Sequence, residues 1–318
     1  MMHRTDSAID RNELTNQENL MAWLVHGEHP LNPLWEKKAY RYKFVLRSYL
    51  FYPKTLDWVK QLQGYHYLGY YLNKQTNLPC KLQRPYLSSA FSTHTAYDAL
   101  CYNYAFFEKQ SDSLITKLFS KKPLVLANLE GKNAEPIVIE LYSEDRYSRE
   151  GEFSVSARDS ENNCYITLTF SIINYQGKST LFIGGLQGME HENGRELTQK
   201  ITKSCYGLFP KRLAFEVVRQ LAHTFQLQQI ASVTNKTHIY QNWRYARKRK
   251  KVFADYDEFW LSMGATIDKR YLAILPFDEG RKPIEEVASK KRSEYRRRYA
   301  LLDSMQEQID TLFNKLAD

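Results

Sequence analysis

The sequence predicts an α+β protein: a helical first part, then a mixed sheet, then one long closing helix. Three observations carry this. Residues 32–122 read as helical, with Pro53, Pro79 and Pro85 as punctuation. From residue 124 the chain changes to short runs rich in β-branched and aromatic residues, separated by turn chemistry. The last thirty residues carry a single apolar stripe at steps of three and four.

Taken in order, "NPLWEKKAYRYKFVLRSYLFYP" (32–53) has no glycine and stops at Pro53, as a helix does. "TLDWVKQLQGYHYLGYYLN" (55–73) follows at helical period, and "HTAYDALCYNYAFFEKQ" (94–110) reads as a further helix. The polar start of "KQSDSLITKLFSKKP" (109–123) marks a domain junction, giving a basic helical domain over 1–123 and a second domain over 124–318. Strands are predicted over 136–143, 152–160, 164–174 and 179–188, with "SENN" and "YQGK" as turns; the last three form an antiparallel meander. Helices are predicted over 194–205 and 211–227. The second has Leu213, Val217, Leu221 and Phe225 four apart and Pro210 at its start. "QIASVT" (229–234) is a buried strand, 256–264 a short helix ended by Gly264, and 270–276 a last strand. In the tail helix (289–318), Leu302, Met305, Ile309, Leu312 and Leu316 form a stripe expected to dock on the domain.

Composition narrows the function classes. The chain has 318 residues, 43% hydrophobic and 25% charged, with 23 tyrosines. The N-terminal twenty residues lack the apolar core of a signal peptide, and no apolar run approaches the ~20 residues of a membrane span. The expected location is cytoplasmic, peripheral on the inner face of the inner membrane. The four cysteines form no CxxC pair, and the histidines show no metal spacing, so no metal site is expected. The net charge of +9 is uneven: residues 32–122 carry +9 and 236–298 carry +8, around a slightly acidic middle. Such fields attract anionic partners. The runs "RYARKRKK" (244–251) and "SKKRSEYRRRY" (289–299) match no nucleic-acid module; they read first as solvated charge, with an anionic lipid surface or an acidic carrier protein as the partners such charge would attract. "WEKKAYRYKFVLRSYLFY" (35–52) interleaves aromatic and basic residues as interfacial helices do, and charge reversal at Lys37, Lys38, Arg41 and Arg47 is expected to weaken vesicle binding.

"TLFIGGLQG" (180–188) sets the main question: a buried strand ends in three glycines and one polar Gln187. Glycine there admits a close approach, either of another part of the chain or of a ligand. No GxxxxGK[ST] or GxGxxG is present. The order of a meander, a helix, a buried strand, "NKTHIY", a short helix and a last strand resembles the GNAT acyltransferase fold. The resemblance implies that strands 180–188 and 229–234 are parallel neighbours that splay apart. An acyl-carrier arm would lie between them, with Gly184, Gly185 and Gly188 leaving room for it. The loop that grips the carrier pyrophosphate in that fold corresponds to "KSCYGLFPKRL" (203–213), which supplies Lys203, Tyr206, Gly207, Lys211 and Arg212. It departs from the pattern at Pro210 and lacks the second glycine, so an acidic acyl-carrier protein suits the basic surface better than free coenzyme A.

A second resemblance spans roughly residues 30–300. "KLQRPYL" (81–87), "IGGLQG" (183–188), "TKSCYGLFPKRL" (202–213), "NKTHIY" (235–240), "YDEFW" (256–260) and "SKKRSEYRRRY" (289–299) are similar to the bacterial VirK/YbjX family, with Tyr206 and Phe209 where that family suggests histidine and arginine. The resemblance implies a link to envelope integrity, virulence and survival of antimicrobial peptides, and no reaction. His238 would border the cleft as general acid or base, or cap a turn. Asn235 would orient a substrate amide, or end a strand; Gln187 would face a ligand, or cap the next helix. Glu140, Asp145, Glu150 and Glu152 offer carboxylates that the sequence does not rank. Two functions stay open: an acyl- or aminoacyl-transferase using coenzyme A or a carrier protein, and a non-catalytic peripheral membrane or interaction factor.

Overall fold

The computed structural model describes residues 19–27, 31–188, 194–245, 255–278 and 280–317. The N-terminal eighteen residues, His29, His191 and the run 246–251 lie outside the described residues. The helical part comprises α1 (Leu20–His26), α2 (Lys38–Leu50), α3 (Lys54–Gln63), α4 (Leu68–Lys74), α5 (Thr93–Phe107) and α6 (Asp112–Leu118). Ser92 and Ser111 cap α5 and α6 by accepting from Thr95 N and Leu114 N. The stretch 55–73, read as continuous, is two helices, because the chain turns at Gly64 and restarts at Leu68.

The sheet comprises β1 (Leu124–Glu130), β2 (Pro136–Tyr142), β3 (Phe153–Arg158), β4 (Cys164–Tyr175), β5 (Lys178–Gly188), β6 (Gln229–Ser232), β7 (Thr266–Ile267) and β8 (Ala273–Leu275), in the order β1-β2-β3-β4-β5-β6-β8-β7. Pairing is antiparallel except between β5 and β6, where Thr180 through Ile183 run parallel to Gln229 through Ser232. The parallel neighbours implied by the GNAT-like element order are therefore present. β1 and the two-residue β7 are additions to the predicted strands.

Between β5 and β6 the chain forms α7 (Gly194–Ser204) and α8 (Pro210–Thr224). Pro210 stands at the first turn of α8, where its missing N–H costs nothing. Leu213, Val217, Val218, Leu221 and Ala222 are buried against β3, β4 and β5, each large apolar side chain contributing about 1.5–3 kcal/mol. The short helix α9 (Tyr256–Ser262) follows β6, and α10 (Arg292–Ala317) closes the chain. Leu301, Met305, Ile309, Phe313 and Leu316 of α10 are buried, with Leu302 and Leu312 half-buried, on β1 and α8. The docked tail helix is as expected, with Leu301 and Phe313 joining the stripe. One hydrophobic cluster runs from Leu20 to Leu316 through helices and sheet alike.

Candidate functional site

Beyond Ile183, β5 and β6 part. Val233 N still donates to Ile183 O at 3.0 Å, and Gly184–Gly188 then continue alongside β4 alone. A fork of this kind leaves backbone groups unpaired, and buried backbone groups need partners. Side chains of α9 supply them. Leu186 N donates to the Tyr256 hydroxyl at 2.9 Å, and Trp260 Nε1 donates to Val233 O at 3.1 Å. Asn235 fixes the start of α9: its Oδ1 accepts from Tyr256 N at 2.9 Å, its Nδ2 donates to Asp255 Oδ1 at 2.9 Å, and its N donates to Asp257 Oδ1 at 2.8 Å. The slot implied for an acyl-carrier arm thus holds two aromatic side chains of the chain itself, and Asn235 positions the helix that carries them.

The opening glycines have a local cause. A Cβ on Gly184 would lie 2.0 Å from Glu150 O, and one on Gly185 would lie 1.9 Å from the Glu150 carboxylate. The segment ending in Glu150 presses directly on the β5 backbone, so the space beside these two glycines is filled. Gly188 differs: nothing stands within 4 Å of a Cβ there.

Glu150 gathers two of the three residues read as catalytic. Gln187 Nε2 donates to both carboxylate oxygens at 3.1 Å. His238 Nε2 lies 3.5 Å from Oε1, with both side chains 1% exposed. His238 Nδ1 accepts from Tyr240 N, so in the neutral ring the proton sits on Nε2, which is buried beside Glu150 without a hydrogen-bond partner among the described residues. The rings of Tyr240 and Tyr256 pack against the imidazole, each 5.2 Å away. Burial, then the Glu150 charge, pushes the Tyr240 phenol up to about 12. His238 does not border an open cleft as expected. It is fully buried because Ser88, Leu87 and their neighbours close over it: Ser88 bridges to His238, and Leu87 N donates to Arg149 O at 2.8 Å.

Two residues further on, Glu152 centres a second buried cluster. Lys81 Nζ and the Tyr104 hydroxyl both bind its carboxylate, the Tyr86 hydroxyl donates to it at 2.6 Å, and Glu152 N donates to Ser171 Oγ at 3.1 Å. Burial drives the Lys81 ammonium below its ordinary value, and the Glu152 charge opposes that. Lys81 and Tyr86 come from "KLQRPYL", so this motif ties the helical part to β3 and β4. Of the other carboxylates, Glu140 pairs with Arg158 at 2.8 Å and Asp145 accepts from the backbone of Thr76 and Asn77.

The residues assigned to a carrier loop separate into two places. Lys211 and Arg212, in the first turn of α8, share a cavity of about 410 Å³ with Gly188. Tyr206 and Gly207, both at positive φ (52° and 78°), face α10 instead. Arg298 donates through Nε and Nη2 to Tyr206 O at 2.9 and 2.8 Å, and a Cβ on Gly207 would lie 2.6 Å from Arg298 Nη2. Lys203 is exposed. Arg298, Tyr256 and Trp260 were legible only as members of motifs; their roles follow from which backbone groups they reach. Among the described residues no group of three or more His, Cys, Asp or Glu is placed to hold a metal ion.

The fold and the fork define an α+β protein with a GNAT-like parallel strand pair. The chain belongs to the family described as DUF535, a protein family of unknown function, whose model matches residues 33–311. It is 38% identical over 314 residues to an uncharacterized protein of Escherichia coli, YbjX, covering 98% of this chain and 95% of that one. An uncharacterized protein of Haemophilus influenzae is 30% identical over 205 residues, covering 64% and 66%. A Mannheimia haemolytica protein named membrane protein LapB is 25% identical over 230 residues, covering 71% of this chain and 95% of that protein. The VirK/YbjX membership suggested by the motifs is thereby shown.

Proposed function

We propose that the protein is a peripheral factor of the bacterial envelope that binds an anionic membrane surface through the outer face of α2. One observation carries this. Tyr42, Leu46, Tyr49 and Leu50 lie at steps of four, three and one on a single helix face, and with Phe51 they are 56–67% exposed. Folded monomers seldom expose so contiguous a group of large apolar side chains without a partner. Lys37, Lys38 and Lys43 are exposed around it, which is the pattern of interfacial helices. A second exposed aromatic residue supports the reading. Arg244 packs on the Tyr52 ring at 5.6 Å and donates to Gln83 O at 3.2 Å. Its neighbour Trp243 is 80% exposed, and the basic run 247–251 follows in the chain. No described helix is long and apolar enough to cross a membrane, and the name of the Mannheimia relative agrees with membrane contact.

Arg41 does not belong to this face. It is buried and donates to Val25 O, Trp35 O and Glu36 O at 2.8, 2.6 and 2.9 Å, so reversing its charge tests folding. The test of the proposal is vesicle flotation. The protein is expected to float with vesicles containing anionic lipid at low salt, less at high salt, and little with neutral ones. Leu46→Glu/Leu50→Glu should abolish flotation. No flotation of the unaltered protein with anionic vesicles at low salt discards the reading.

The fork supports a second reading, acyl transfer from a donor carried by coenzyme A or an acidic carrier protein, with Gly188, Lys211 and Arg212 at its outer end. The donor arm would have to displace Tyr256 and Trp260. Mass spectrometry after incubation with each donor tests it: neither complex nor transferred acyl group ends the reading, and full activity in His238→Ala removes His238 from the mechanism.

A further inference from the structure

Arg47, Arg84, Arg149 and Arg244 crowd the 3-10 turn Leu78–Gln83 beside α2. Gln83 seats this turn on the helix: its Nε2 donates to Phe44 O and Ser48 Oγ, both at 3.0 Å. Arg149 donates to Lys81 O at 2.9 Å and Arg244 to Gln83 O at 3.2 Å. Arg84 follows Gln83 in the chain and is exposed, and Arg47 precedes Ser48 on α2. Tyr52, the ring under Arg244, donates its N–H to Arg47 O at 2.9 Å. Cys80 lies among them: burial pushes its thiol up to about 11, while the Tyr40 hydroxyl and then Arg149, Arg84 and Arg47 oppose that.

Among the described residues no carboxylate pairs with any of these arginines. The buried acids close by in the chain are engaged elsewhere, Glu150 with Gln187 and Glu152 with Lys81, Tyr86 and Tyr104. Burial lowers the Arg149 guanidinium from its ordinary value, and Arg84 adds to this. A cation taken out of water ordinarily brings an anion with it. A hydroxyl is unmatched as well: the Tyr245 oxygen, next to Arg244 in the chain, is buried with no hydrogen-bond partner among the described residues. The sequence beyond adds charge of one sign only, since residues 242–254 hold six Lys and Arg and no Asp or Glu.

We infer that these arginines bind the phosphate of a lipid headgroup that ends in a phosphomonoester, such as phosphatidate, in preference to a phosphodiester. This rests on the reading of α2 as a membrane face and names what that face recognises. Leu46 and Leu50 flank Arg47 on the helix, and Trp243 adjoins Arg244. When those apolar side chains enter the interface, the guanidiniums meet the layer of lipid phosphates. Each guanidinium presents a fork that fits two phosphate oxygens. A terminal phosphate offers three acceptor oxygens and close to two charges, enough for several forks, whereas a phosphodiester carries a single charge.

The test floats the full chain with phosphatidylcholine vesicles that contain phosphatidate or phosphatidylglycerol, matched in surface charge. Affinity for the phosphatidate vesicles should be higher by about tenfold. Arg47→Gln/Arg84→Gln should bring it down to the phosphatidylglycerol level. Lys37→Gln/Lys38→Gln removes as much charge beside the same face and should lower both lipids alike, keeping the ratio. Tyr245→Phe should lower phosphatidate affinity about threefold while the melting temperature holds, because the hydroxyl has no partner to lose. A second arm uses calorimetry with monomeric dihexanoyl phosphatidate and with inorganic phosphate. The lipid should bind, and inorganic phosphate should bind more weakly by about tenfold or more. Equal affinity for the two vesicle types, or an unchanged ratio in Arg47→Gln/Arg84→Gln, overturns the inference and leaves the membrane reading standing. Inorganic phosphate binding as tightly as the short-chain lipid also overturns it, in favour of a soluble phosphate ester. No flotation with either lipid is a different result, which discards the membrane reading and this inference together.

Discussion

The helical layer has two faces built from the same residue types, and their fates are opposite. On the inner side, Tyr86 and Tyr104 are buried with their hydroxyls on Glu152. On the outer side, Tyr42 and Tyr49 are more than 60% exposed with Leu46, Leu50 and Phe51 beside them. The tyrosines do not differ as side chains. What differs is whether a buried carboxylate and a sheet stand opposite. The inner face should therefore carry stability, and the outer face should carry binding.

That contrast can be broken in four ways, taken from the largest expected effect on stability to the smallest. Glu152→Ala leaves the Lys81 ammonium buried without its partner and removes the carboxylate that the Tyr86 and Tyr104 hydroxyls bind. It should cost about 3–5 kcal/mol in urea unfolding, and a loss under about 1 kcal/mol would show that the inner cluster does not hold the layers together.

Raising the pH attacks the same cluster without mutation. Burial first, then the Glu152 charge, holds the Tyr86 and Tyr104 phenols well above the ordinary 10.0. The unfolded chain releases these protons near pH 10 and the folded chain keeps them. Their contribution is therefore complete below pH 10 and lost above it, at about 1.4 kcal/mol per pH unit for each tyrosine. Unfolding curves at pH 8 and pH 10.5 measure this, and Tyr104→Phe should flatten the dependence.

Gly184→Ala pushes a methyl into Glu150 O. We expect about 1–3 kcal/mol of overpacking strain, read as a lowered melting temperature; a neutral substitution would mean that the Glu150 segment yields freely. The smallest effect belongs to the outer face. Leu46→Glu/Leu50→Glu should change stability by no more than about 0.5 kcal/mol while vesicle flotation disappears. A large stability loss there would mean that the face is packed.

Local chemistry was enough to read most elements. Pro210 opens α8 and the turns at 160–163 and 175–178 separate strands, because these signals act within a few residues. The apolar stripe of 289–318 likewise reported a docked helix. The candidate site was legible only as a set of motifs. Gln187 and His238 were singled out separately, but Glu150, the residue that joins them, was one of four equivalent carboxylates until burial ranked it. The glycines were read as room for a ligand or a close crossing, and Glu150 decides for the crossing at Gly184 and Gly185.

By itself, the sequence determined the α+β class, most of the order of elements, and the family; the parallel pair was implied by the resemblance to the GNAT fold. Each rests on periodicity, turn residues or motif strings, which are properties of neighbouring positions. Only the tertiary structure decided that Tyr256 and Trp260 occupy the fork, that Arg41 is an interior clamp while Tyr42 faces outward, and that Arg298 grips Tyr206 from ninety-two residues away. Those outcomes depend on which unpaired backbone group or charge a side chain reaches across the fold, and spacing along the chain does not record that.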